Sequence, residues 1–458
     1  MKNRTWMLDV LDRAEEGPIT LEKEFDRVFV AQGIADLVAK YRIRIPKDPY
    51  IPFDDDLADR VFQAGLDLAV NAGLYCISTK RRITFSRAEI ERRVADFPGQ
   101  ITLGEGEDAC TVRARRPEDA GRIAIVGGAY GTPVPEELFV PIMLSYAQEP
   151  VVDWIDNATL STVYGRPVRG GTCWELLACW EEAEKSFEVI RRVGRPGLAI
   201  GCAETSTSDL GELTTTNSQA FRPIDWHHTC LSSELKTTYD QLNKVVHFTR
   251  TGCHVHSFCD PIYGGLIGGR EGMAVSIVAD LLLMHVVHLA STVNPGPSHL
   301  RYSASTHPDM MSSISVALQA TNRNTKLLTS AFLRPASGPG TKTILYETAA
   351  LALAAATAGC AFMEGVQSAT GTHEAHCSGL EARFVGEVCH AAEGMSRQQA
   401  NDIARQLIAR YADIFDDPPI GRPFPEVYDL RTLKPTTEWQ GMYEEVEQEL
   451  VSMGLRLA

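Results

Sequence analysis

An alternation of short apolar runs with amphipathic segments constrains the fold of this chain more than any other feature of its sequence. Strands that alternate with helices pair in parallel, and seven or eight such units suit a closed (β/α)8 barrel of the TIM type. An open, doubly wound sheet is the alternative within the same α/β class. The runs predicted as strands are 123–126, 198–200, 253–258, 299–303, 327–332 and 361–363, with a weaker candidate in 151–162, and the predicted helices between them are 232–248, 270–290, 308–321 and 343–359.

The alternation occupies only the middle of the chain. Before it, apolar residues recur at helical spacing, and Ser86-x-x-Glu89 has the pattern of a helix capping box. After it, Ser396-x-x-Gln399 opens another amphipathic segment. We therefore predict an N-terminal, mostly helical extension over 1–115, a barrel catalytic domain over 116–395 and a C-terminal helical segment over 396–458.

The net charge of −15 and the lack of a long apolar stretch narrow the range of partners. An acidic chain is a poor ligand for nucleic acid or anionic lipid, and a membrane span needs about 18 or more consecutive apolar residues. The 11 cysteines have scattered spacing, include no CxxC motif and follow no export signal. We therefore expect a cytoplasmic protein with reduced thiols and no partnership with membranes or nucleic acid.

The segment 194–206, GRPGLAIGCAETS, is a candidate for the functional end of a barrel strand. Its apolar part breaks at Gly201 and is followed by a polar edge that begins at Glu204, which is typical of a buried strand that opens into a cleft. Chemistry in α/β folds collects at such ends because the strands hold loop residues in fixed positions. Glu204 is then either a polar wall of the cleft or an acid that favours a helix N-terminus.

Six spaced blocks of the chain resemble a known family, the monomethylamine:corrinoid methyltransferases of methanogens. The blocks are AGLDLAVNAGLYC (64–76), GGAYGTPVPEELFVP (127–141), GRPGLAIGCAETS (194–206), DPIYGGLIGGREG (260–272), GLEARFVGEV (379–388) and EVYDLRTLKPT (426–436). The resemblance implies a TIM barrel, a homo-oligomer (a hexamer in the family) and transfer of a methyl group from a small methylated amine to cob(I)alamin. It also implies that this corrinoid is carried by a separate corrinoid protein, which docks at the barrel mouth, so no permanently bound cofactor is expected.

The same resemblance implies that the reactive residue of the family is missing from this chain. The family uses pyrrolysine, whose imine binds the amine, and the position that matches it here is Gly201. The two glutamates and the glutamine that flank pyrrolysine match His228, Phe258 and Phe332. Because all four positions differ together, we expect a methyl donor other than monomethylamine.

An aromatic pocket without pyrrolysine favours a quaternary ammonium substrate. Such a compound already carries a leaving group that departs neutral, so it needs positioning more than activation, and aromatic faces hold its cation well. A betaine-like donor also needs an arginine to bind its carboxylate. The predicted substrate-binding residues are Gly201, Phe258, Phe332, Tyr302 and Arg301, with Arg334 as an alternative arginine, and the predicted catalytic residues are His228, His256 and Glu204.

The motif His254-Val255-His256 allows a second mechanism. Since Phe258 faces the barrel interior by the block match, strand alternation places both histidines inside as well. One interpretation is a zinc site in which the metal acts as a Lewis acid on another methyl donor. The other, which we prefer because the motif is short, is a pair of hydrogen-bonding histidines without metal. A barrel retained only to bind a small molecule is a third possibility, since a fold does not fix a function. Residues available to complete a zinc site are His227, His228, Cys202, Cys259 and Asp260.

Overall fold

A computed structural model, which describes residues 2–457, shows one parallel sheet of nine strands at the centre of the chain. Its strands are β1 (Ala124–Gly128), β2 (Trp154–Asp156), β3 (Ile200–Gly201), β4 (Trp226–Cys230), β5 (His254–Cys259), β6 (Thr292–Pro295), β7 (Leu328–Thr329), β8 (Phe332–Leu333) and β9 (Phe362–Gly365). The spatial order is β7-β6-β5-β4-β3-β2-β1-β9-β8, and all pairings within it are parallel. The α/β class expected from the alternation is confirmed.

The two edges of this sheet belong to one stretch of chain. Strand β7 pairs with β6, strand β8 pairs with β9, and only Ser330 and Ala331 separate β7 from β8. The sheet therefore returns to its starting segment, as in an α/β barrel. A helix follows most strands on the outside: α1 (Glu136–Ala147), α2 (Cys173–Arg192), α3 (Asp209–Thr215), α4 (Tyr239–Thr251), α5 (Arg270–Val287), α6 (Pro308–Asn324), α7 (Lys342–Thr357) and α8 (Gly379–Ala391).

The prediction of a barrel strand over 299–303 is wrong. The strand at this place is β6, Thr292–Pro295, and the chain then leaves the barrel through Gly296 and Pro297. Only Ser298–His299 extends again, pairing with Ile262–Tyr263 outside the barrel sheet. Strand β4 was not predicted, because its sequence WHHTC carries polar side chains that hide the alternation of a buried strand.

Aromatic residues fill the barrel interior beneath the carboxyl ends of the strands. The rings of Trp154 and Trp226 are 5.5 Å apart, and Trp226 lies 5.8 Å from the ring of Phe362. These side chains share a core with Ile101 and Val112 of the antiparallel hairpin Gln100–Leu103 and Cys110–Arg113. This packed layer gives the carboxyl end of the barrel a rigid floor.

Further helices precede and follow the barrel. Asp55, in one of the N-terminal helices, pairs with Arg323 of α6 at 2.7 Å and with Arg397 of the C-terminal segment at 2.8 Å. The capping boxes predicted at Ser86 and Ser396 are both present. Within residues 2–457 we find no helix with the length and apolar character required to cross a bilayer. The additional helices are Lys2–Glu16, Glu22–Glu24, Phe25–Gln32, Gly33–Lys40, Asp55–Ala72, Arg87–Ala95, Arg397–Ile408, Phe424–Val427 and Thr437–Ser452.

Short strand pairs and 3-10 turns lie outside the nine-stranded sheet. The parallel pairs are Pro133–Val134 with Thr159–Leu160, Ile262–Tyr263 with Ser298–His299 and Leu74–Cys76 with Lys236–Thr237. The antiparallel pairs are Leu74–Cys76 with Arg81–Ile83, Thr162–Val163 with Arg166–Pro167 and Tyr428–Asp429 with Lys434–Pro435. Turns of 3-10 helix lie at Gly106–Asp108 and Ser368–Gly371.

Candidate active site

A cavity of about 300 Å³ opens at the carboxyl ends of the barrel strands. Residues from β2, β4, β5, β8 and β9, and from the loops after β1 and β3, contribute to its wall. The convergence of many strand ends on one hollow is the usual arrangement of an α/β-barrel active site. The lining residues are Tyr130, Gly131, Asp156, Thr159, Ala203, Glu204, Ser206, Glu212, His228, Thr229, Cys230, Lys244, His256, Phe258, Phe332, Arg334, Glu364 and Gln367.

Asp156 lies between two glycines on the neighbouring strands. It is paired in register with Gly128 of β1 on one side and with Gly201 of β3 on the other. A Cβ atom built on Gly201 would be 2.1 Å from Oδ1 of Asp156, and one built on Gly128 would be 2.7 Å from its Cβ. Gly201 therefore does not line the cavity, because the Asp156 carboxylate occupies the space into which a side chain at 201 would extend.

Glu204 and His228 are hydrogen-bonded across the cavity wall. The distance from Glu204 Oε1 to His228 Nδ1 is 2.7 Å, and the other ring nitrogen, Nε2, is buried without a hydrogen-bond partner in the described chain. That Nε2 atom lies 3.9 Å from Oδ1 of Asp156. The two acids and the histidine thus form one connected group at the ends of β2, β3 and β4.

The loop that presents Glu204 is held from below by a buried carboxylate. Glu182 of α2 accepts the backbone N–H groups of Glu204 and Thr205, at 3.0 and 2.9 Å. It also accepts the side-chain amide of Asn157, at 2.9 Å. Burial raises the pKa of Glu182 to about 7. These contacts position Glu204 independently of any ligand in the cavity.

His256 forms a second histidine–acid pair beside the first, because it is paired in register with His228 and the two rings are 5.2 Å apart. Its Nδ1 lies 3.0 Å from the hydroxyl of Thr292, and that hydroxyl also accepts the indole N–H of Trp226 at 3.0 Å. The threonine hydroxyl can therefore donate its own proton to Nδ1 while it accepts the indole N–H. Nε2 is 3.9 Å from Oε1 of Glu364. Burial lowers the pKa of His256 and raises the pKa of Glu364 to about 8.

Three aromatic rings form the remaining wall. Phe258 and Phe332 have ring centroids 6.1 Å apart, and Tyr130 meets Phe332 edge-on at 5.4 Å. The hydroxyl of Tyr130 donates to the carbonyl of Val126 and accepts the N–H of Gly365, so it is fully engaged in the fold. The cavity therefore combines aromatic rings with carboxyl groups in one wall, a combination suited to an organic cation.

Two cationic side chains also reach the cavity. The guanidinium of Arg334 lies 5.0 Å above the ring of Phe332 and is paired with Asp260 at 3.2 Å, with further hydrogen bonds to Gln367 and Ser298. Lys244 has no ion pair within residues 2–457.

The structure brings five of the predicted site residues together around this cavity: Glu204, His228, His256, Phe258 and Phe332. The prediction that Tyr302 and Arg301 belong to the same pocket is wrong. Both lie beyond the end of β6, where the Tyr302 hydroxyl donates to Asp416 and Arg301 pairs with the same carboxylate at 2.7 Å. The Arg301 side chain is 70% exposed. Their placement followed from the mistaken strand at 299–303.

His254 lies away from the cavity that contains His228 and His256. It bonds to Ser291 and lines a different cavity, of about 410 Å³, with Phe97 and Cys253. Among the described residues, the group of three that could hold an ion is Asp156, Glu204 and His228. A zinc site built on the His254/His256 pair has no geometric support here.

Asp156 and Glu364 are cavity residues that the sequence prediction missed. Both directly end an apolar run, in Trp154-Ile155-Asp156 and Phe362-Met363-Glu364. An acid at the carboxyl end of a buried parallel strand was therefore the available signal, and it is the same signal that pointed to Glu204.

The parallel barrel sheet and the polar cavity at its carboxyl edge define an α/β-barrel enzyme. The chain belongs to the family described as monomethylamine methyltransferase MtmB, whose family model matches residues 6–455, and it is a methyltransferase.

Individual relatives resemble this chain over almost its full length. MtmB2 of Methanosarcina acetivorans is 30% identical over 447 residues, which cover 98% of this chain and 97% of the relative. MtmB of Methanosarcina mazei is 29% identical with the same coverage. The crystal structure of the Methanosarcina barkeri monomethylamine methyltransferase superposes with a TM-score of 0.95, 28% identity and 98% coverage of both chains, and a structure of the hydroxylamine MtmB complex gives the same values.

Proposed function

We propose that this chain transfers a methyl group from a quaternary, betaine-like ammonium compound to cob(I)alamin on a separate corrinoid protein, without pyrrolysine. The observation that carries the proposal is the pairing of Gly201 with Asp156, because position 201 has no room for a reactive side chain. The family membership supports methyl transfer, and the aromatic wall supports a donor other than monomethylamine.

The chemistry of such a donor matches the groups in the cavity. Cob(I)alamin attacks the methyl carbon in line, the C–N bond breaks, and its electron pair stays on nitrogen, which leaves as a neutral tertiary amine. No proton has to be delivered to that leaving group. The task of the enzyme is then to hold the cation with one methyl aimed at the barrel mouth.

Phe258, Phe332 and Tyr130 supply faces for the cation. A cation over an aromatic ring in a desolvated site is stabilised by about 2 kcal/mol. Glu204 and His228 line the same cavity as these rings, and we assign them, with His256, to contact and orientation of the donor.

The carboxylate of a betaine-like donor would be bound by Arg334 or Lys244 rather than by Arg301. Both line the cavity, whereas Arg301 pairs with Asp416 outside it. Lys244 is the stronger candidate because Arg334 already shares its charge with Asp260.

The test is formation of methylcobalamin, followed by absorbance, from cob(I)alamin and a panel of methylated amines. We expect glycine betaine or a close analogue to react and monomethylamine not to react. If monomethylamine is the best donor, or if no member of the panel binds, the proposal is wrong; if members bind but none reacts, the barrel serves as a small-molecule binder instead.

Several further properties are proposed on the family resemblance. The barrel is taken as a (β/α)8 barrel in which β7 and β8 are two halves of one strand, flanked by the extensions 1–115 and 396–458. The enzyme is proposed to be a cytoplasmic homo-oligomer, hexameric as in the family, that receives its corrinoid from the partner protein and binds no cofactor permanently.

A further inference from the structure

Glu364, the acid near the end of β9, has no assigned part in the proposed function. Its side chain is 4% exposed, and Oε1 is buried without a hydrogen-bond partner within residues 2–457. Nε2 of His256 is 3.9 Å from that oxygen, which is too long for a hydrogen bond. A buried carboxyl oxygen of this kind is costly unless a proton or a ligand satisfies it.

No cation of the described chain neutralises Glu364. Within residues 2–457 no lysine or arginine forms an ion pair with it. His256 is uncharged near neutral pH, because burial lowers its pKa well below 6.5. Arg334 lines the same cavity but is paired with Asp260 at 3.2 Å. The carboxyl group of Glu364 is therefore available to a positive charge on a ligand.

The other acids of the cavity are already engaged. Their partners are Nδ1 of His228 for Glu204, at 2.7 Å, the backbone N–H of Asn157 for Asp156, at 3.0 Å, and the charge of Lys244 for Glu212. Glu212 also has an oxygen without a hydrogen bond, but the nearby lysine stabilises its carboxylate. Glu364 is thus the cavity acid whose Oε1 atom has neither a donor nor a cation among the described residues.

The aromatic wall lies beside Glu364. This acid is paired in register with Phe332 of β8, and the side chains of register partners in a parallel sheet point to the same face. The hydroxyl of Tyr130 accepts the backbone N–H of Gly365, the next residue in the chain. A cation held against these rings would therefore lie close to the unpartnered oxygen.

We propose that Glu364 is the counter-ion for the ammonium group of the donor, and that it selects a cation over a neutral molecule of the same shape. This role rests on the proposed function, which supplies the class of ligand, and adds the residue that recognises its charge. When the cation binds, the O–H bond of the protonated acid breaks and the proton passes to solvent. The carboxylate then pairs with the ammonium group.

Binding of the cation is thereby coupled to release of a proton. Burial raises the pKa of Glu364 to about 8, so the group is mostly protonated at pH 7 before the ligand binds. A neighbouring positive charge stabilises the carboxylate and lowers this pKa. Binding at pH 7 should then release about 0.7 proton per chain, and the affinity for the cation should rise about 10-fold from pH 6.5 to pH 8.5.

Other titratable and charged groups share this part of the barrel. They are Tyr130, Asp156, Glu204, His228, His256 and Arg334 in the cavity wall and Cys360 just before the strand of Glu364 itself. Burial holds the pKa values of Tyr130 and Cys360 above this pH range and that of His256 below it. Burial also raises the pKa of Asp156, so this acid is the competing source of a proton. Substitution of Glu364 distinguishes the two acids.

The experiment is calorimetric titration of the full-length protein with glycine betaine, without cob(I)alamin. Two buffers of different ionisation enthalpy give the number of protons released. The neutral probe is 3,3-dimethylbutanoate, which has carbon in place of the betaine nitrogen and keeps the carboxylate. For the parent protein we expect proton release and a rise of affinity with pH for glycine betaine, and neither for 3,3-dimethylbutanoate.

The variant E364Q replaces a protonated acid by a neutral group of the same shape, so it should fold like the parent. We expect it to release no proton and to bind glycine betaine about 20-fold less tightly than the parent at pH 8.5, but within about 2-fold at pH 6.5. Its affinity for 3,3-dimethylbutanoate should not change. The matched control is E149Q, because burial raises the pKa of Glu149 to about 7 outside the cavity. This control should release as many protons as the parent.

The counter-ion role is overturned if E364Q releases protons and binds glycine betaine like the parent, or if the parent binds both probes equally well. Either result leaves the proposed function standing, because methyl transfer is measured separately. If glycine betaine binds with proton release but gives no methylcobalamin, the counter-ion role holds and the proposed function is wrong. If glycine betaine does not bind to the parent, both are wrong.

Discussion

Gly201 and Asp156 are paired across strands β3 and β2, and the carboxylate of Asp156 lies where a side chain at position 201 would begin. A Cβ at 201 would stand 2.1 Å from Oδ1 and 3.0 Å from Cα of Asp156, so neither the side chain nor the backbone of Asp156 leaves room for it. On the other side of Asp156, a Cβ at Gly128 would likewise be too close, at 2.7 Å from the Cβ of the acid. Three neighbouring strand ends are thus built around one buried carboxylate.

Substitution of Gly201 by alanine tests this relationship. We expect Gly201→Ala to lower the free energy of unfolding by about 1–3 kcal/mol, because the added methyl overpacks the contact with Asp156. Urea unfolding of the variant and the parent measures the effect. Adding Asp156→Ala in the same chain should recover part of the loss, since the clashing carboxylate is then absent.

Gly441→Ala is the matched control for this substitution. Nothing lies within 4 Å of a Cβ at position 441, which is in the helix Thr437–Ser452. Alanine there should leave stability unchanged or raise it by up to about 1 kcal/mol. Equal stability of Gly201→Ala and the parent would show that the Asp156 side chain moves aside at no cost in free energy.

The aromatic wall is tested through the affinity for the methyl donor. We expect Phe332→Ala and Phe258→Ala each to raise KM for a quaternary ammonium donor by roughly 5- to 30-fold, because a desolvated cation–π contact contributes about 1–2 kcal/mol. Steady-state methyl transfer measures KM. The same variants should lose much less affinity for a neutral inhibitor of the same shape than for the cation. This comparison separates the contribution of charge from that of shape.

Tyr302→Ala is the control for the aromatic variants. Tyr302 stacks on His307 at 5.2 Å, outside the cavity. We expect its KM to match that of the parent. A KM that rises for Tyr302→Ala and not for Phe332→Ala would place the donor elsewhere on the barrel rim.

The class of the fold was predictable because the alternation of strands and helices extends over many elements. The wrong or missed strands are single short segments. The alternation over the middle of the chain requires a parallel sheet, and the capping boxes mark the helix starts at Ser86 and Ser396. Strand β4 escaped prediction because a strand that lines a polar cavity carries histidines where a buried strand normally carries apolar residues. The stretch 299–303 has strand-like residues, but it follows the segment Pro295-Gly296-Pro297, in which the barrel strand ends.

The candidate site was predictable to the extent that its residues share strand positions. Period-2 alternation placed His256 and Phe258 on one face, and the structure places both in the cavity. The partners of these residues were not predictable, because the contact between Glu204 and His228 depends on the stagger between strands that are 24 positions apart in sequence.

Glu204 and His228 are expected to act as a unit. On the proposed function, E204A and H228A each lower the single-turnover rate of methyl transfer by about 10-fold, because each loses the 2.7 Å contact that orients the other. The double variant E204A/H228A should be little slower than either single variant, since the shared contact is already lost. Rates that multiply in the double variant would instead mean that the two side chains act independently.

Acid sensitivity of the fold is expected from His288, which is fully buried at the end of α5. Its ring bridges the hydroxyls of Ser257 and Thr237, at 2.9 and 3.0 Å, and burial lowers its pKa from 6.5 to about 3. A histidine with a lowered folded-state pKa contributes stability that is present above the unfolded pKa and is lost as the pH falls from about 6.5 towards 3. Between about pH 7.5 and pH 5 this one group should lower the free energy of unfolding by about 2 kcal/mol.

His288→Asn should be less stable than the parent near neutral pH but should lose less stability on acidification, as measured by urea midpoints at both pH values. His376→Gln, in the surface loop, should keep the full acid dependence of the parent; an identical slope for His288→Asn would assign the acid sensitivity to other groups.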